Sequence, residues 1–202
     1  ISSPFVCGIF RSLFKTMNYY SLKICGLNRE LPLIYVGKNT RLASFSLLGD
    51  GELVEKTARA LAGKLKKTEF DLLVGPEVKV VPLICELARL FKQKRFVICR
   101  KSVKPYMVRP VILKPLPHFP KHVRQLVLDG SDAEMLKDKK VVVVDDVIST
   151  GVTMRMMGKL MEKVGAKVMA YASVLKQGEQ FDKFENLITL GDLPIDKIEK
   201  SL

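Results

Sequence analysis

The sequence predicts an α/β protein, a doubly wound and mainly parallel β-sheet flanked by helices. Short apolar runs rich in β-branched residues alternate along the chain with segments whose apolar residues recur every three or four positions. Strands alternating with helices in this way are typical of a parallel sheet. The four valines of Val141–Val144 suit a strand that is buried on both faces. With 202 residues, 48% of them hydrophobic, the chain can bury one substantial core.

The first predicted element is a hairpin. Leu33–Val36 and Leu42–Ser46 are short β-like runs on either side of a turn-like Gly-Lys-Asn-Thr. The first sixteen residues precede Met17, lack an initiating Met and show no helical or alternating period. We interpret residues 1–16 as a leader or a cloning remnant, with Met17 as the natural start and residues 17–202 as a single domain.

Helices and strands follow in alternation. Asp50 is suited to cap a helix. The apolar positions of that helix recur at helical spacing and are Leu53, Thr57, Ala58, Leu61 and Leu65. The remaining predicted elements are strands at Phe70–Val74, Arg95–Cys99, Lys140–Val144 and Lys167–Val174, an alternating run at Arg124–Asp129, and helices at Val80–Phe91 and Thr153–Val164.

One segment sustains neither period. Residues 100–124 contain seven Lys or Arg and no Asp or Glu, and they include five of the ten prolines. A long irregular segment within a domain is usually functional or disordered. The net charge of +13 favours a polyanionic partner, which is a nucleic acid, a membrane surface or a phosphorylated substrate. A solvated basic loop without a partner is the alternative.

The cysteines indicate a reducing compartment. None of the four, Cys7, Cys25, Cys85 and Cys99, belongs to a Cys-x-x-Cys pair, and three lie in apolar runs. We expect reduced, packed thiols and a cytoplasmic location. No apolar run approaches the roughly 20 residues that span a bilayer.

The stretch VVVVDDVISTGVTM, residues 141–154, carries the clearest chemical signal. Asp145 and Asp146 are expected to end a buried strand, at the sheet edge where α/β proteins bind ligands. Ser149–Thr153 would form the turn into a helix, whose N–H groups and hydroxyls favour an anion. The carboxylates suit vicinal hydroxyls or a divalent cation, so the pair of features suggests a ribose 5-phosphate. The alternative is an ordinary strand end followed by a helix cap.

Two other phosphate-related classes fit less well. A response-regulator receiver also ends its first strand in paired acids, but only 56 residues follow Asp146 here. The Gly-x-x-x-x-Gly-Lys-Ser/Thr loop of nucleotide-binding proteins is absent from the sequence.

The stretch resembles the phosphoribosyl-diphosphate (PRPP) motif of the type I phosphoribosyltransferases. Residues 72–88, LLVGPEVKVVPLICELA, are similar to the strand, pyrophosphate loop and helix of the adenine and xanthine enzymes. Residues 96–107, FVICRKSVKPYM, are similar to their strand leading into a flexible catalytic loop. The resemblance covers roughly residues 33–175.

The resemblance implies a role for each matching position. Asp145 and Asp146 would contact the ribose hydroxyls. A phosphate loop would hold the 5-phosphate and consists of Ser149, Thr150, Gly151, Val152 and Thr153. A pyrophosphate loop would consist of Glu77, Val78 and Lys79. Arg100 and Lys104 would reach the pyrophosphate and, with Lys79, serve catalysis, while the basic loop (residues 102–124) would close over the site.

The same resemblance implies the remaining parts of the enzyme. A small N-terminal hood, about residues 17–50, would cover a core of about residues 51–190, and its base-binding candidates are Ala43, Ser44 and Phe45. Mg²⁺ would be held mainly by PRPP and water, with no protein ligand. The expected partners are PRPP, a purine base and a second copy of the chain, with neither a membrane nor a nucleic acid.

One departure from the family affects base choice and proton transfer. Adenine enzymes usually carry Tyr-Ser-Leu-Glu-Tyr late in the catalytic loop, whereas this chain has HFPKHVR at residues 118–124, without a carboxylate. His118 or His122 could replace the proton-transfer residue, or both could be inert loop residues. The expected reaction is phosphoribosyl transfer to a purine, with adenine ahead of xanthine or guanine. The alternative is a regulator of the same fold that senses PRPP and binds nucleic acid.

Overall fold

The computed structural model describes residues 18–36, 39–115, 119, 123–178, 181 and 184–197. The predicted leader and both histidines lie outside these residues. The strands are β1 (Tyr19–Ile24), β2 (Leu27–Tyr35), β3 (Thr40–Ala43), β4 (Leu72–Pro76), β5 (Val97–Cys99), β6 (Val111–Leu113), β7 (Leu126–Leu128), β8 (Lys140–Ile148), β9 (Lys167–Gln177), β10 (Leu187–Leu193) and β11 (Ile195–Lys197). The helices are α1 (Gly51–Leu65), α2 (Val81–Leu90), α3 (Gly130–Leu136) and α4 (Val152–Lys163).

The chain divides into two compact units, the first formed by residues 1–45 and 194–202. Its four-stranded antiparallel sheet has the order β1-β2-β3-β11. The predicted hairpin is confirmed, because Leu33 pairs with Ala43 and Tyr35 with Arg41. Strands β1 and β11 were not predicted from the sequence. The predicted hood ends near residue 50, five residues beyond Phe45, where the first segment of this unit ends.

The second unit, residues 46–193, contains a five-stranded sheet in the order β10-β9-β8-β4-β5. All its pairings are parallel, which confirms the predicted fold class. From β4 the chain crosses to β5 through α2, and from β8 it crosses the opposite way to β9 through α4. Because such crossovers are right-handed, α2 and α4 lie on opposite faces of the sheet. The sheet is therefore doubly wound, with its switch point between β4 and β8.

The predicted amphipathic helix α1 is confirmed together with its cap. The Leu53 N–H donates to Asp50 Oδ1 at 3.0 Å, which satisfies one of the free donors at the helix start. All five of its predicted core positions are buried. The periodicity of three and four residues therefore reports correctly which side of this helix faces the core.

Three local predictions are wrong. Strand β8 runs to Ile148, so Asp145 and Asp146 lie within the strand and do not end it. The basic loop contains a strand, since β6 pairs antiparallel with β7. The Cys85 thiol is exposed, whereas Cys99 is buried as predicted. Among the described residues, no helix combines the length and apolar character needed to cross a membrane.

Candidate active site

A crevice opens where β4 and β8 separate at their carboxyl ends. The last pairing between these strands joins Val74 to Val143, after which β4 pairs only with β5 and β8 only with β9. Gly75 lies at the point of separation, where an added Cβ would stand 2.8 Å from the Val144 carbonyl oxygen. Open α/β sheets bind ligands at such a switch point.

Asp145 and Asp146 stand on the β8 side of this crevice. They are only 9% and 7% exposed, and the strand continues past them to Ile148. The Asp146 N–H donates to Asp145 Oδ1 at 2.9 Å. Burial, and secondarily the neighbouring Asp146 charge, raise the pKa of the Asp145 carboxyl well above its ordinary value. Two carboxylates held together away from water are costly, and this cost is characteristic of functional sites.

The pyrophosphate loop stands on the β4 side. The Lys79 Nζ lies 3.7 Å from Asp146 Oδ2, so the pyrophosphate loop approaches the paired acids. The Glu77–Val78 peptide bond is cis. The Val78 side chain is exposed, which leaves the backbone as the part of this residue suited to a ligand contact.

Glu77 connects this loop to the strand beyond it. Its Oε2 forms an ion pair with Arg100 Nε at 2.6 Å, and its Oε1 accepts a hydrogen bond from the Lys101 N–H at 2.8 Å. The Glu77 carboxylate is therefore turned toward two basic residues at the end of β5. The ion pair holds the Arg100 guanidinium next to the pyrophosphate loop.

The phosphate loop connects β8, which carries the paired acids, to the start of α4. Gly151 adopts φ +69°, a left-handed conformation, at the N-cap of α4. The Thr150 Oγ1 accepts a hydrogen bond from the Val152 N–H at 3.4 Å. The side chains of Ser149, Thr150 and Thr153 are exposed beside the N-terminus of α4, an arrangement that suits an anion.

Replacing Gly151 with Ala is expected to lower both stability and affinity for phosphate esters. A left-handed conformation costs an L-residue about 1–2 kcal/mol, and the new Cβ would stand 2.8 Å from the Phe184 ring. Thermal unfolding and binding of ribose 5-phosphate measure the two effects. Gly63→Ala is the control, because Gly63 lies in α1 with nothing within 4 Å of its added Cβ. A Gly151→Ala variant as stable as Gly63→Ala would contradict the expected strain.

The start of the basic loop is tethered. The Met107 N–H donates to the Lys104 carbonyl at 3.0 Å, and the Val108 N–H donates to Asp129 Oδ2 at 3.3 Å. Among the described residues, Lys104 forms no ion pair, in contrast to Arg100 and Lys79. The structure therefore places Lys104 in a compact turn that follows β5 and leaves its ammonium group without a counter-ion there.

The three base-binding candidates belong to the first unit. Ala43 and Phe45 are buried, and the Ser44 backbone N–H donates to the Pro32 carbonyl at 2.9 Å. The Ala43 and Phe45 side chains are therefore packed away from solvent, which leaves backbone groups as the more accessible part of this segment. The role of the three residues in base binding stays a prediction.

Three residues near the candidate site were not predicted. The charge of Lys101 acts on the Asp145 carboxyl and partly offsets the rise in its pKa. Arg155 Nη2 donates to the Thr150 carbonyl at 3.0 Å, and its guanidinium lies over the Phe184 ring. Only the basic character of residues 100–124 pointed to Lys101, and no sequence pattern distinguished Arg155 or Phe184.

Comparison with known families and proteins agrees with the architecture. The family model described as "Phosphoribosyl transferase domain" matches residues 46–198. The chain is 30% identical over 142 residues to an orotate phosphoribosyltransferase of Archaeoglobus fulgidus, covering 70% of this chain and 68% of that one. It is 33% identical over 150 residues to an adenine phosphoribosyltransferase of Thermosipho africanus, covering 71% of this chain and 84% of that one.

Solved structures show the same fold. The crystal structure of an adenine phosphoribosyltransferase from Thermoanaerobacter pseudethanolicus superimposes with a TM-score of 0.63, covering 80% of this chain and 95% of that one. The two sequences are 20% identical in that alignment, so the likeness is one of fold.

Proposed function

The chain belongs to the phosphoribosyl transferase domain family, and from that premise we propose that it transfers a 5-phosphoribosyl group from PRPP to a purine base, releasing pyrophosphate. It is an enzyme of the glycosyltransferase type. Adenine is the favoured acceptor, with xanthine and guanine behind it. The proposal extends to a homodimer acting in the cytoplasm, which sedimentation and cell fractionation would test.

The observation that carries the proposal is the state of Asp146. Its Oδ2 is buried without a hydrogen-bond donor in the described part of the chain, and the Lys79 ammonium at 3.7 Å is beyond hydrogen-bond distance. A buried unsatisfied carboxylate oxygen requires a physical reason. The hydroxyls of a ribose would supply the missing donors, while the adjoining α4 N-terminus suits its 5-phosphate.

The charges around the crevice suit the departure of pyrophosphate. Breaking the bond between ribose and pyrophosphate builds positive charge on the sugar and negative charge on the leaving group. Lys79, Arg100 and Lys104 are fixed cations that would stabilise the leaving group, and the paired acids would orient the sugar. Water must be kept from the sugar during transfer, which is the role proposed for closure of the basic loop.

We propose that a divalent cation enters this site with the bound substrate. Among the described residues, no cluster of three or more His, Cys, Asp or Glu side chains could hold a metal ion. Mg²⁺ commonly keeps several waters and binds through phosphates with few protein ligands. It would be held by PRPP and water, with the paired acids within reach through water, and it would supply charge neutralisation of the pyrophosphate.

The acceptor base is the open part of the proposal, and orotate is the competing choice. Relatives of similar identity are named as orotate and as adenine phosphoribosyltransferases. The adenine relative is covered to a greater extent, 84% against 68%, which favours adenine. The departure at residues 118–124 bears on base choice and proton transfer, and both of its histidines lie outside the described residues.

The test is a panel of adenine, guanine, xanthine, hypoxanthine and orotate, each supplied with PRPP and Mg²⁺ while pyrophosphate release is followed. We expect turnover to be fastest with adenine. If turnover is fastest with orotate, the acceptor base is orotate and not adenine, while the proposed phosphoribosyl transfer is unaffected. No turnover with any base, together with tight binding of a specific nucleic acid, would instead support the PRPP-sensing regulator.

A further inference from the structure

The phosphate loop is held from behind by an arginine and an aromatic ring. Arg155 Nη2 donates to the Thr150 carbonyl at 3.0 Å, which fixes the middle of the loop. The Arg155 guanidinium carbon lies 5.6 Å from the centroid of the Phe184 ring, a cation–π distance. The same ring lies against Gly151, where an added Cβ would stand 2.8 Å from Phe184 Cε2. Phe184 therefore contacts the loop directly and also through Arg155.

The Phe184 ring is itself held in place by the core. It makes an edge contact with Tyr171, with centroids 5.6 Å apart and ring planes at 77°. A second ring, the buried Phe181, lies 6.3 Å away. The Phe184 N–H also donates to the Phe181 carbonyl at 3.0 Å. The connection between β9 and β10 thus presents a fixed aromatic face to the back of the phosphate loop.

We propose that Arg155 and Phe184 are positioning residues for the 5-phosphate of PRPP, an inference that rests on the proposed function. Backbone N–H groups bind an anion well only when their directions are fixed before the ligand arrives. The Ser149–Thr153 loop is solvent-exposed at all three hydroxyl side chains and begins after β8 has ended. Arg155 and Phe184 fix the Thr150 and Gly151 backbone, so they act through the loop and need not touch the phosphate.

A general electrostatic effect of Arg155 makes a different prediction, and Lys159 distinguishes the two. Lys159 lies one helical turn further along α4 and lines the same shallow cavity as Arg155, about 610 Å³ in volume. Arg155→Met and Lys159→Met each remove one positive charge from this face of the helix. If charge alone mattered, both variants would bind PRPP more weakly. If positioning matters, only Arg155→Met would.

The experiment measures binding of three probes to the full chain by calorimetry: PRPP, ribose 5-phosphate and pyrophosphate. Arg155→Met is expected to lower the affinity for PRPP and for ribose 5-phosphate by the same factor, about tenfold. The two factors should be equal because the lost interactions are those of the 5-phosphate, which both ligands carry. Binding of pyrophosphate alone is expected to stay unchanged, as is binding of all three probes by Lys159→Met. Phe184→Leu should also lower the affinity for PRPP and ribose 5-phosphate.

A double variant provides the readout that a purely structural role would not move. Because Arg155 and Phe184 contact each other and support the same loop, their effects should not add, and the double variant Arg155→Met, Phe184→Leu should bind PRPP about as weakly as the weaker-binding single variant. In turnover, the Michaelis constant for PRPP should rise with little change in the maximal rate. Thermal unfolding shows which variants are folded, and Arg155 is exposed, so its replacement tests the idea even if Phe184→Leu unfolds.

The outcomes separate this inference from the function on which it rests. A wild-type chain that binds no PRPP would overturn the proposed function. If the wild-type chain binds PRPP, two results would overturn the positioning role alone. One is an Arg155→Met variant with unchanged PRPP affinity, and the other is a variant whose affinity for pyrophosphate falls as much as its affinity for PRPP. Equal losses in Arg155→Met and Lys159→Met would assign the effect to charge and also overturn it.

Discussion

Replacing both Asp145 and Asp146 with Asn is expected to abolish PRPP binding while making the protein more stable at neutral pH. Each charged hydrogen bond to a ribose hydroxyl contributes roughly 1.5–3 kcal/mol to binding. Losing both should therefore lower the affinity for PRPP by about a hundredfold or more. The gain in stability follows from relief of two adjacent carboxylates that are almost fully buried. Calorimetry measures the first effect and thermal unfolding the second.

The stability gain should depend on pH in a defined direction. The pKa of Asp145 is raised in the folded protein, so the folded state holds this proton more tightly than the unfolded chain does. Ionisation of Asp145 therefore costs stability, increasingly as pH rises from the ordinary Asp pKa to the raised one. The Asn variant escapes this cost, so its advantage should be largest above the raised pKa and should shrink as pH falls toward the ordinary value.

Asp192→Asn is the matched control for this variant. Asp192 is an exposed carboxylate paired with Lys176 at 3.3 Å, and exposed pairs of this kind contribute little. Its replacement should change neither PRPP affinity nor the unfolding temperature by much. If the paired-acid variant keeps wild-type PRPP affinity, the assignment of the ribose site to Asp145 and Asp146 is wrong.

Replacing Lys104 with Ala is expected to slow turnover by about tenfold or more with little change in apparent PRPP affinity. The Lys104 ammonium has no ion-pair partner among the described residues, whereas Arg100 is already paired with Glu77 and Lys79 faces Asp146. Such a charge is available to the pyrophosphate as negative charge builds up during bond breaking. An interaction made mainly in the transition state lowers the rate constant more than the binding constant. One charged hydrogen bond of roughly 1.5–3 kcal/mol accounts for the factor.

Steady-state kinetics with varied PRPP tests this, and Lys114→Ala controls for loss of charge from the same loop. Lys114 is exposed and follows β6, so it lies beyond the turn that holds Lys104 and on the far side of that strand in the chain. Its replacement should leave turnover near the wild-type rate. Normal turnover with only a raised Michaelis constant in Lys104→Ala would mean that Lys104 anchors the substrate and does not act on the transition state.

The sequence predicted the parts of the fold whose residues obey a strong local rule. The valines before Asp145 mark the central strand, and the periodicity after Asp50 marks α1 with its buried face. Strand β10 was missed because its pattern is interrupted by Gly191 and Asp192 and its pairing partner is β9, more than ten residues earlier. The prediction ended β8 before Asp145 because charged residues usually lie at the protein surface. In the structure β8 continues alongside β9 to Ile148, and both carboxylates are almost fully buried.

For the site, residue types and spacing predicted which segments would line the crevice but not how their side chains are engaged. Lys79 does approach Asp146, while the ligand that both would share stays a prediction. The pairing of Glu77 with Arg100 and the support of Thr150 by Arg155 depend on side-chain directions that no spacing specifies. The burial of Ala43 and Phe45 likewise depends on tertiary packing that no local pattern specifies.

The pairing of β11 with β3 also has a consequence for the order of events during synthesis on the ribosome. The first three strands of the small sheet emerge early, but the strand that completes it, Ile195–Lys197, is translated only after the whole of the second unit. A nascent chain therefore exposes the unpaired edge of β3, with its free N–H and C=O groups, until the second unit has been translated. The larger unit can fold as it is made, since its strands are contiguous in the chain. The small sheet is completed only when Ile195–Lys197 follows.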